Sequence, residues 1–241
     1  MCSRPDISVV LPVFNEQENL RPLWGELRGV LSRLPGKSWE VLFVDDASTD
    51  ASRNVLLELA EAHSGVRFMG LAENRGQSAA FFAGFQAAGG GVIITMDADM
   101  QNDPADIPAM LEMYSSGLDM VVGWRKERKD SWQKRIASRV GNGLRNWLLQ
   151  ESVHDSGCSL KILRADMARR LPAFRGMHRF LPGLMAMQGA RIGEMPVSHR
   201  PRLHGASKYS SFGRAREGLA DLLAVRWMRR RALTYEINEK R

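Results

Sequence analysis

Apolar residues in the first half of the chain fall into short, nearly unbroken runs separated by stretches of helical period. The runs are Ile7 to Phe14, Glu40 to Val44, Val66 to Leu71, Val92 to Met96 and Met120 to Gly123. Between the first two, Leu20, Leu23, Leu27, Val30, Leu31 and Leu34 recur at helical spacing up to the stop at Pro35-Gly36. Ser52 to Ala62, Ser78 to Ala88 and Ile107 to Tyr114 carry shorter helical patterns. Strands that show no polar alternation must be covered on both sides, and the intervening helices supply the covering layers. The pattern therefore predicts an α/β fold with a mostly parallel central sheet and helices on both faces. In such a sheet, ligands gather beyond the carboxyl ends of the strands.

After Arg125 the pattern loosens. Trp132 to Leu149 reads as an amphipathic helix bearing Lys134, Arg135, Arg139 and Arg145, and Val153 to Leu163 and Ala190 to Val197 read as strands. From Ser211 to Met228, Phe212, Ala215, Leu219, Leu222, Leu223 and Trp227 recur at helical spacing and lead into Arg229-Arg230-Arg231. No repeat or low-complexity linker divides the chain, so residues 1–210 are expected to form one domain and residues 211–241 a basic amphipathic helix and tail. Gly76 to Met96 carries no charge and is long enough to cross a bilayer. Gly84, Gln86 and Gly89-Gly90-Gly91 instead divide it into a helix, a turn and a strand.

Of the 241 residues, 44% are hydrophobic and 25% charged, which excludes a disordered or disulfide-scaffold chain. Two cysteines, Cys2 and Cys158, and no signal-peptide pattern after Met1 fit a reducing, cytoplasmic setting. The net charge of +7 is carried by the segment from Arg200 onward, which holds eleven Lys and Arg against four Asp and Glu. A neutral body with a basic end suits anionic lipid, a phosphorylated ligand or nucleic acid.

Chemistry concentrates in Asp97-Ala98-Asp99-Met100-Gln101-Asn102-Asp103-Pro104, directly after the fourth strand. In an extended chain, positions i, i+2 and i+4 point the same way, so Asp97, Asp99 and Gln101 would offer three oxygens to one hard cation. One or two carboxylates together with substrate phosphates is how Mg²⁺ or Mn²⁺ is held. The same residues also suit the cap of the following helix. Asp46 and Asp50 end the second strand and Glu16 the first, at the same sheet edge as Asp97. A carboxylate there can accept the ring N–H of a base, with Phe14 as an apolar wall, or can serve as a helix cap. Nucleic acid is not an expected partner, because Asp46, Asp97 and Asp99 would repel its backbone. A dinucleotide fold is disfavoured because no G-x-G-x-x-G follows the first strand.

The motifs LPVFNE, VDDASTD, NRGQSAA, MDADMQNDP, VVGWR, DSGCSLKILRAD and LHGASKYS, in this order, resemble a family 2 inverting glycosyltransferase of the GT-A fold. They are most similar to enzymes that charge a polyprenyl phosphate, such as dolichol-phosphate mannose synthase and bacterial undecaprenyl-phosphate sugar transferases. The resemblance implies an NDP-sugar donor, a divalent cation and a polyprenyl phosphate acceptor. By position it places Pro12, Phe14, Glu16, Val44 and Asp46 in the nucleotide pocket. Asp97, Ala98, Asp99 and Gln101 fall at the metal and diphosphate site. Arg125, Arg202 and Lys208 match phosphate-contacting basic residues, and Arg139 an acceptor-phosphate contact. Asp155 reads first as a turn residue before Gly157 and is a base only if the acceptor is a hydroxyl, the alternative being transfer to a saccharide in cell-surface polysaccharide synthesis. A phosphate monoester, with its second pKa near ~6, is already ionised at neutral pH and needs no such base. Many members continue into transmembrane helices after this point, so this chain is expected to work peripherally on the inner membrane face. There Phe212, Leu219, Leu222, Leu223 and Trp227 would meet lipid or pack in a core, with a separate membrane protein as docking partner.

Overall fold

The computed structural model describes residues 4–126, 143, 148, 153–201 and 211–232. Seven strands form one sheet: β1 (Ile7–Val13), β2 (Trp39–Asp45), β3 (Val66–Gly70), β4 (Val92–Thr95), β5 (Met120–Trp124), β6 (Lys161–Arg164) and β7 (Ile192–Pro196). Their spatial order is β3-β2-β1-β4-β6-β5-β7. The pairs β3–β2, β2–β1, β1–β4 and β5–β7 are parallel, whereas β6 runs antiparallel between β4 and β5. All strands but β6 therefore end at one edge, and β6 begins there. That shared edge collects the segments after Val13, Asp45, Gly70, Thr95 and Trp124.

Successive strand residues face opposite layers. Val9, Leu11, Val13, Val41 and Phe43 pack beneath α1 (Gln17–Leu31), α2 (Ser52–Ala62) and α4 (Ile107–Ser115). Val10, Leu42, Val44, Ile93 and Val122 pack beneath α3 (Gln77–Ala87), α5 (Ala165–Arg169), α6 (Leu181–Ala186) and α7 (Ser211–Arg231). Each fully buried aliphatic side chain contributes about 1.5–3 kcal/mol, so the two faces together explain why these runs show no alternation of apolar and polar positions. The sheet and both helical layers match the sequence expectation. One predicted strand is shorter than expected: of Val153 to Leu163, only the end enters β6. The earlier part is a loop because Asp155 and Gly157 turn it, with Cys158 N donating to the Asp155 carbonyl at 3.2 Å.

The C-terminal helix divides its apolar residues between two environments. Leu222 and Val225 are buried in the second layer, while Leu219, Leu223 and Trp227 are 50%, 55% and 63% exposed, one turn apart on the helix. Of the expected lipid-facing set, Leu222 belongs to the core, and Phe212 lies outside the residues whose side chains are described. No described helix is long and apolar enough to cross a membrane.

Helix α3 lies unusually close to the sheet at Gly84, where an added Cβ would sit 2.3 Å from Val10 Cγ1 and 3.3 Å from Val44 Cγ2. Both valines are fully buried and cannot yield. Gly84→Ala gains about 1 kcal/mol in helix propensity but costs about 1–3 kcal/mol in overpacking. The expected outcome is a net destabilisation of up to about 2 kcal/mol in urea unfolding; a stabilised variant would show that α3 can move off the sheet.

Candidate active site

The shared edge is organised from β2 outward. Asp46 follows β2 directly, and its two carboxylate oxygens accept the backbone N–H groups of Arg75 and Gly76, each at 2.8 Å. Asn74 Nδ2 donates to the Asp46 carbonyl at 3.1 Å. Burial pushes the Asp46 carboxyl above the usual carboxylate range, against the two N–H donors that favour its charge. These bonds set the 74–76 loop, in which Gly76 takes a φ of +86° that L side chains rarely adopt. Gln77, the first residue of α3, then reaches across, and its Nε2 donates to Asp97 Oδ1 at 2.6 Å. Asp46 thus acts in the structure as the anchor of this loop.

Asp97 leaves β4 into a half-buried position beside the buried Asp99. Burial, and the Asp99 carboxylate beside it, push its pKa up to about 6. Lys161 and Arg125 oppose that shift electrostatically. Lys161 is only 2% exposed, and its Nζ donates to the Cys158 carbonyl. Burial lowers its pKa to about 8. Arg125, at the end of β5, is bound twice by Asp155, with Nε to Oδ2 at 2.7 Å and Nη2 to Oδ1 at 2.9 Å. Asp155 is held in turn: its N–H and that of His154 both donate to Glu194. The guanidinium lies over Gly157, where a Cβ would stand 3.4 Å from Nη2. The centre is therefore a carboxylate pair flanked by two buried or half-buried cations.

The extended geometry expected for Asp97, Asp99 and Gln101 is not what forms. The strand ends at Thr95 and the chain bends over 98–100, with Met100 at φ +64°. Asp99 Oδ1 accepts Gln101 N at 3.1 Å, and the Gln101 carbonyl accepts Arg200 N at 2.9 Å. Gln101 Nε2 also points its donor to the Arg200 carbonyl at 3.5 Å. The alternative reading of the segment's end holds for Asp103, which caps the short turn Pro104–Asp106 by accepting Ala105 N at 2.9 Å.

The remaining expected residues are distributed as follows. Phe14, Pro12 and Glu16 are half-buried at the end of β1, with Glu16 Oε2 accepting Asn19 Nδ2 at 2.7 Å. The Val44 and Ala98 side chains are buried in opposite core layers, so what each brings to the edge is backbone. Asp50 accepts Ser52 N at 2.9 Å at the start of α2. Arg139, Arg202 and Lys208 lie outside the described residues. Sequence reasoning assigned no role to Gln77, Lys161, His178 or Arg179, all of which the fold brings to this edge or its flank. Gln77 stood inside a quoted motif, but nothing local says that it reaches Asp97 from twenty residues away.

A family model described as glycosyl transferase family 2 matches residues 8–171. The chain belongs to this family. Within it, a dodecaprenyl-phosphate galacturonate synthase of Rhizobium johnstonii is 40% identical over 230 residues, covering 93% of this chain and 68% of that protein. An undecaprenyl-phosphate 4-deoxy-4-formamido-L-arabinose transferase of Edwardsiella ictaluri is 38% identical over 205 residues, covering 84% of this chain and 62% of its own length. The chain thus spans about two thirds of these relatives. Among solved structures, glucosyl-3-phosphoglycerate synthase from Mycobacterium tuberculosis, in complex with Mn²⁺ and UDP-glucose, superposes with a TM-score of 0.67 at 20% identity. That match covers 92% of this chain and 79% of the other. A mannosyltransferase from Pyrobaculum calidifontis with GDP-Man and Mn²⁺ gives 0.63 at 19% identity, covering 97% and 66%. These structural matches establish the GT-A-like fold of this family 2 member.

Among the described residues, no group of three or more His, Cys, Asp or Glu comes together as a metal cluster. Two neighbouring carboxylates nevertheless fit a divalent cation, because a positive ion between them would offset both the desolvation and the mutual repulsion that raise Asp97. The conflict also fixes a sign. Between pH 4 and 6, native Asp97 keeps a proton that the unfolded chain, near 3.8, has released, so stability falls as pH rises through that window. In EDTA, Asp97→Asn is expected to raise Tm by roughly 2–6 °C at pH 7.5 and to have little effect at pH 4. A lowered Tm at pH 7.5 would show that Asp97 is stabilised as an anion by its neighbours.

Proposed function

We propose that this chain transfers a sugar from an NDP-sugar to a polyprenyl phosphate, with inversion at the anomeric carbon, using Mg²⁺ or Mn²⁺. The observation that carries this reading is the pair of half-buried Asp97 and buried Asp99, set at the carboxyl edge of a GT-A-like sheet in a family 2 chain. The names of its relatives support the polyprenyl phosphate acceptor. Asp97 and Asp99, with Gln101 on the same bend, are the residues that would hold the cation. When bound, it supplies positive charge to the departing diphosphate.

The chain's own groups account for the rest. Phe14 and Pro12 provide a half-buried wall for the base at the end of β1, beside the backbone of Val44 and Asp46. Arg125 and Lys161 lend positive potential at the sugar-bearing phosphates, and their burial makes each charge count for more than in water. Arg202 and Lys208 are proposed to complete the phosphate contacts, with Arg139 on the acceptor side. A phosphate monoester arrives already ionised, so a single displacement needs no general base. Asp155 accordingly serves to hold Arg125, with both carboxylate oxygens accepting from the guanidinium. Donor and acceptor meet at the membrane surface, which we place at the inner face. There Leu219, Leu223 and Trp227 enter the interface beside Arg226, Arg229, Arg230 and Arg231.

The reading predicts an organic-extractable sugar phospholipid when UDP- or GDP-sugars, a divalent cation and a short polyprenyl phosphate are supplied. Asp97→Asn and Asp99→Asn should each lower kcat by at least about 100-fold. Preferential transfer to free saccharide, or full turnover by either variant, would overturn it. For the membrane contact, replacing Leu219, Leu223 and Trp227 together by Ser should weaken sedimentation with phosphatidylglycerol vesicles by at least about tenfold. Unchanged binding would assign the stripe to something other than lipid.

A further inference from the structure

Beside the carboxylate pair, on the α3 face of the sheet, two adjoining clefts run between α3 and the segment 173–179. One, of about 460 Å³, is lined by Gln77, Arg175, His178 and Arg179, with Ala220 and Asp221 of α7 on its far wall. The other, of about 490 Å³, is lined by Ala79, Phe82, Phe174 and Met177. They share Asn74, Arg75, Ser78 and Arg175, so they form one groove with a cationic half and an apolar half. Gln77 belongs to the cationic half and also holds Asp97, so that half opens beside the proposed reaction centre.

The groove's walls are fixed by α3. Ser78 Oγ accepts Gly176 N at 3.0 Å and pairs with His178 Nδ1 at 2.7 Å. Gly176 sits at φ +92°, with Asp221 Oδ2 only 2.4 Å from where a Cβ would be, so the loop is pressed between α3 and α7. Burial keeps His178 neutral, with its pKa lowered to about 3. Among the described residues, the guanidinium groups of Arg175 and Arg179 form no ion pair or hydrogen bond. Arg75 is paired with Glu73, and among the described residues Asp221 is the single acidic group lining either cleft. Two unpaired guanidiniums over a braced loop suit a phosphate dianion, which Arg engages through forked donors. With the donor's base proposed to lie against Phe14, Phe82 and Phe174 are left for an isoprenoid phosphate ester, which has the same two-part character as the groove.

Building on the proposed function, we infer that Arg175 and Arg179 hold the phosphate of the acceptor, and that Phe82 and Phe174 seat its first isoprene units. The test titrates the full-length protein with farnesyl phosphate, farnesol and UDP, and assays sugar transfer in parallel. Arg175→Gln and Arg179→Gln should each weaken farnesyl phosphate binding by about tenfold or more, while UDP affinity stays within about twofold. Phe82→Leu and Phe174→Leu should weaken farnesyl phosphate but not methyl phosphate, which carries no isoprene unit. Loss of UDP binding with farnesyl phosphate unaffected would give the groove to the donor. No change in either, or equal binding of farnesol, would refute a phosphate site. The two readings fail separately. Wild-type protein that binds farnesyl phosphate through these arginines but glycosylates it with no NDP-sugar keeps the groove and loses the transferase assignment. Wild-type protein that glycosylates it, with the arginine variants' KM unchanged, does the reverse.

Discussion

One buried carboxylate organises the working edge of this protein. Asp46 accepts two backbone N–H groups from a loop some thirty residues further along the chain, and α3 starts where that loop ends. The first two residues of α3 then do the positioning: Gln77 holds Asp97, and Ser78 holds both His178 and Gly176. A hydrogen bond to a charged, buried acceptor contributes about 1.5–3 kcal/mol, and leaving either N–H unpaired would cost a similar amount. The other end of the helix is set by exclusion rather than attraction, since at Gly84 the backbone lies too close to Val10 for any side chain. With both ends fixed, α3 has little room to slide, and the carboxylates and the flanking groove keep a constant separation.

On that frame the electrostatics are arranged as a standing conflict. Asp97 and Asp99 repel each other in a buried site, and Lys161 and Arg125 relieve the repulsion only in part, because Arg125 is already engaged by Asp155. A site left with uncompensated negative charge is less stable than the same site filled by apolar residues, and proteins keep such sites where a ligand supplies the missing charge. Lys161 carries the same logic from the other side. Its burial lowers the pKa to about 8, which is the cost of holding a cation where a diphosphate would need it.

The strands, the helices around them and the edge at which they end were legible because each rests on a local pattern: nearly unbroken apolar runs, helical spacing, and Asp97 directly after a run. The bend at Met100 was not, since a left-handed non-glycine residue has no signature in the sequence, and the extended alignment of Asp97, Asp99 and Gln101 failed on that one torsion. Asp46 was read as a base contact or a helix cap; its partners lie on the loop before α3, and local spacing cannot point so far along the chain. Arg125 and Asp155 were each singled out, but their pairing depends on β6 inserting antiparallel beside β5, a topological fact that local spacing does not carry. Gln77, Lys161, His178 and Arg179 escaped notice for the same reason: each becomes significant only through a partner on another element.

The C-terminal helix does not place its apolar residues in a single environment. Its apolar residues were compatible with a core or with a lipid surface, and the helix divides them, turning Leu222 and Val225 inward and Leu219, Leu223 and Trp227 outward. Between these two faces, Ala220 and Asp221 close the cationic half of the groove. The same helix therefore joins the core, the groove and an exposed apolar stripe. A lipid whose phosphate must reach Arg175 and Arg179 would find its entry beside the surface best suited to meet a membrane. Because Leu222 and Val225 anchor the helix in the second core layer, that surface is held in fixed relation to Asp97 by the same packing that holds α3.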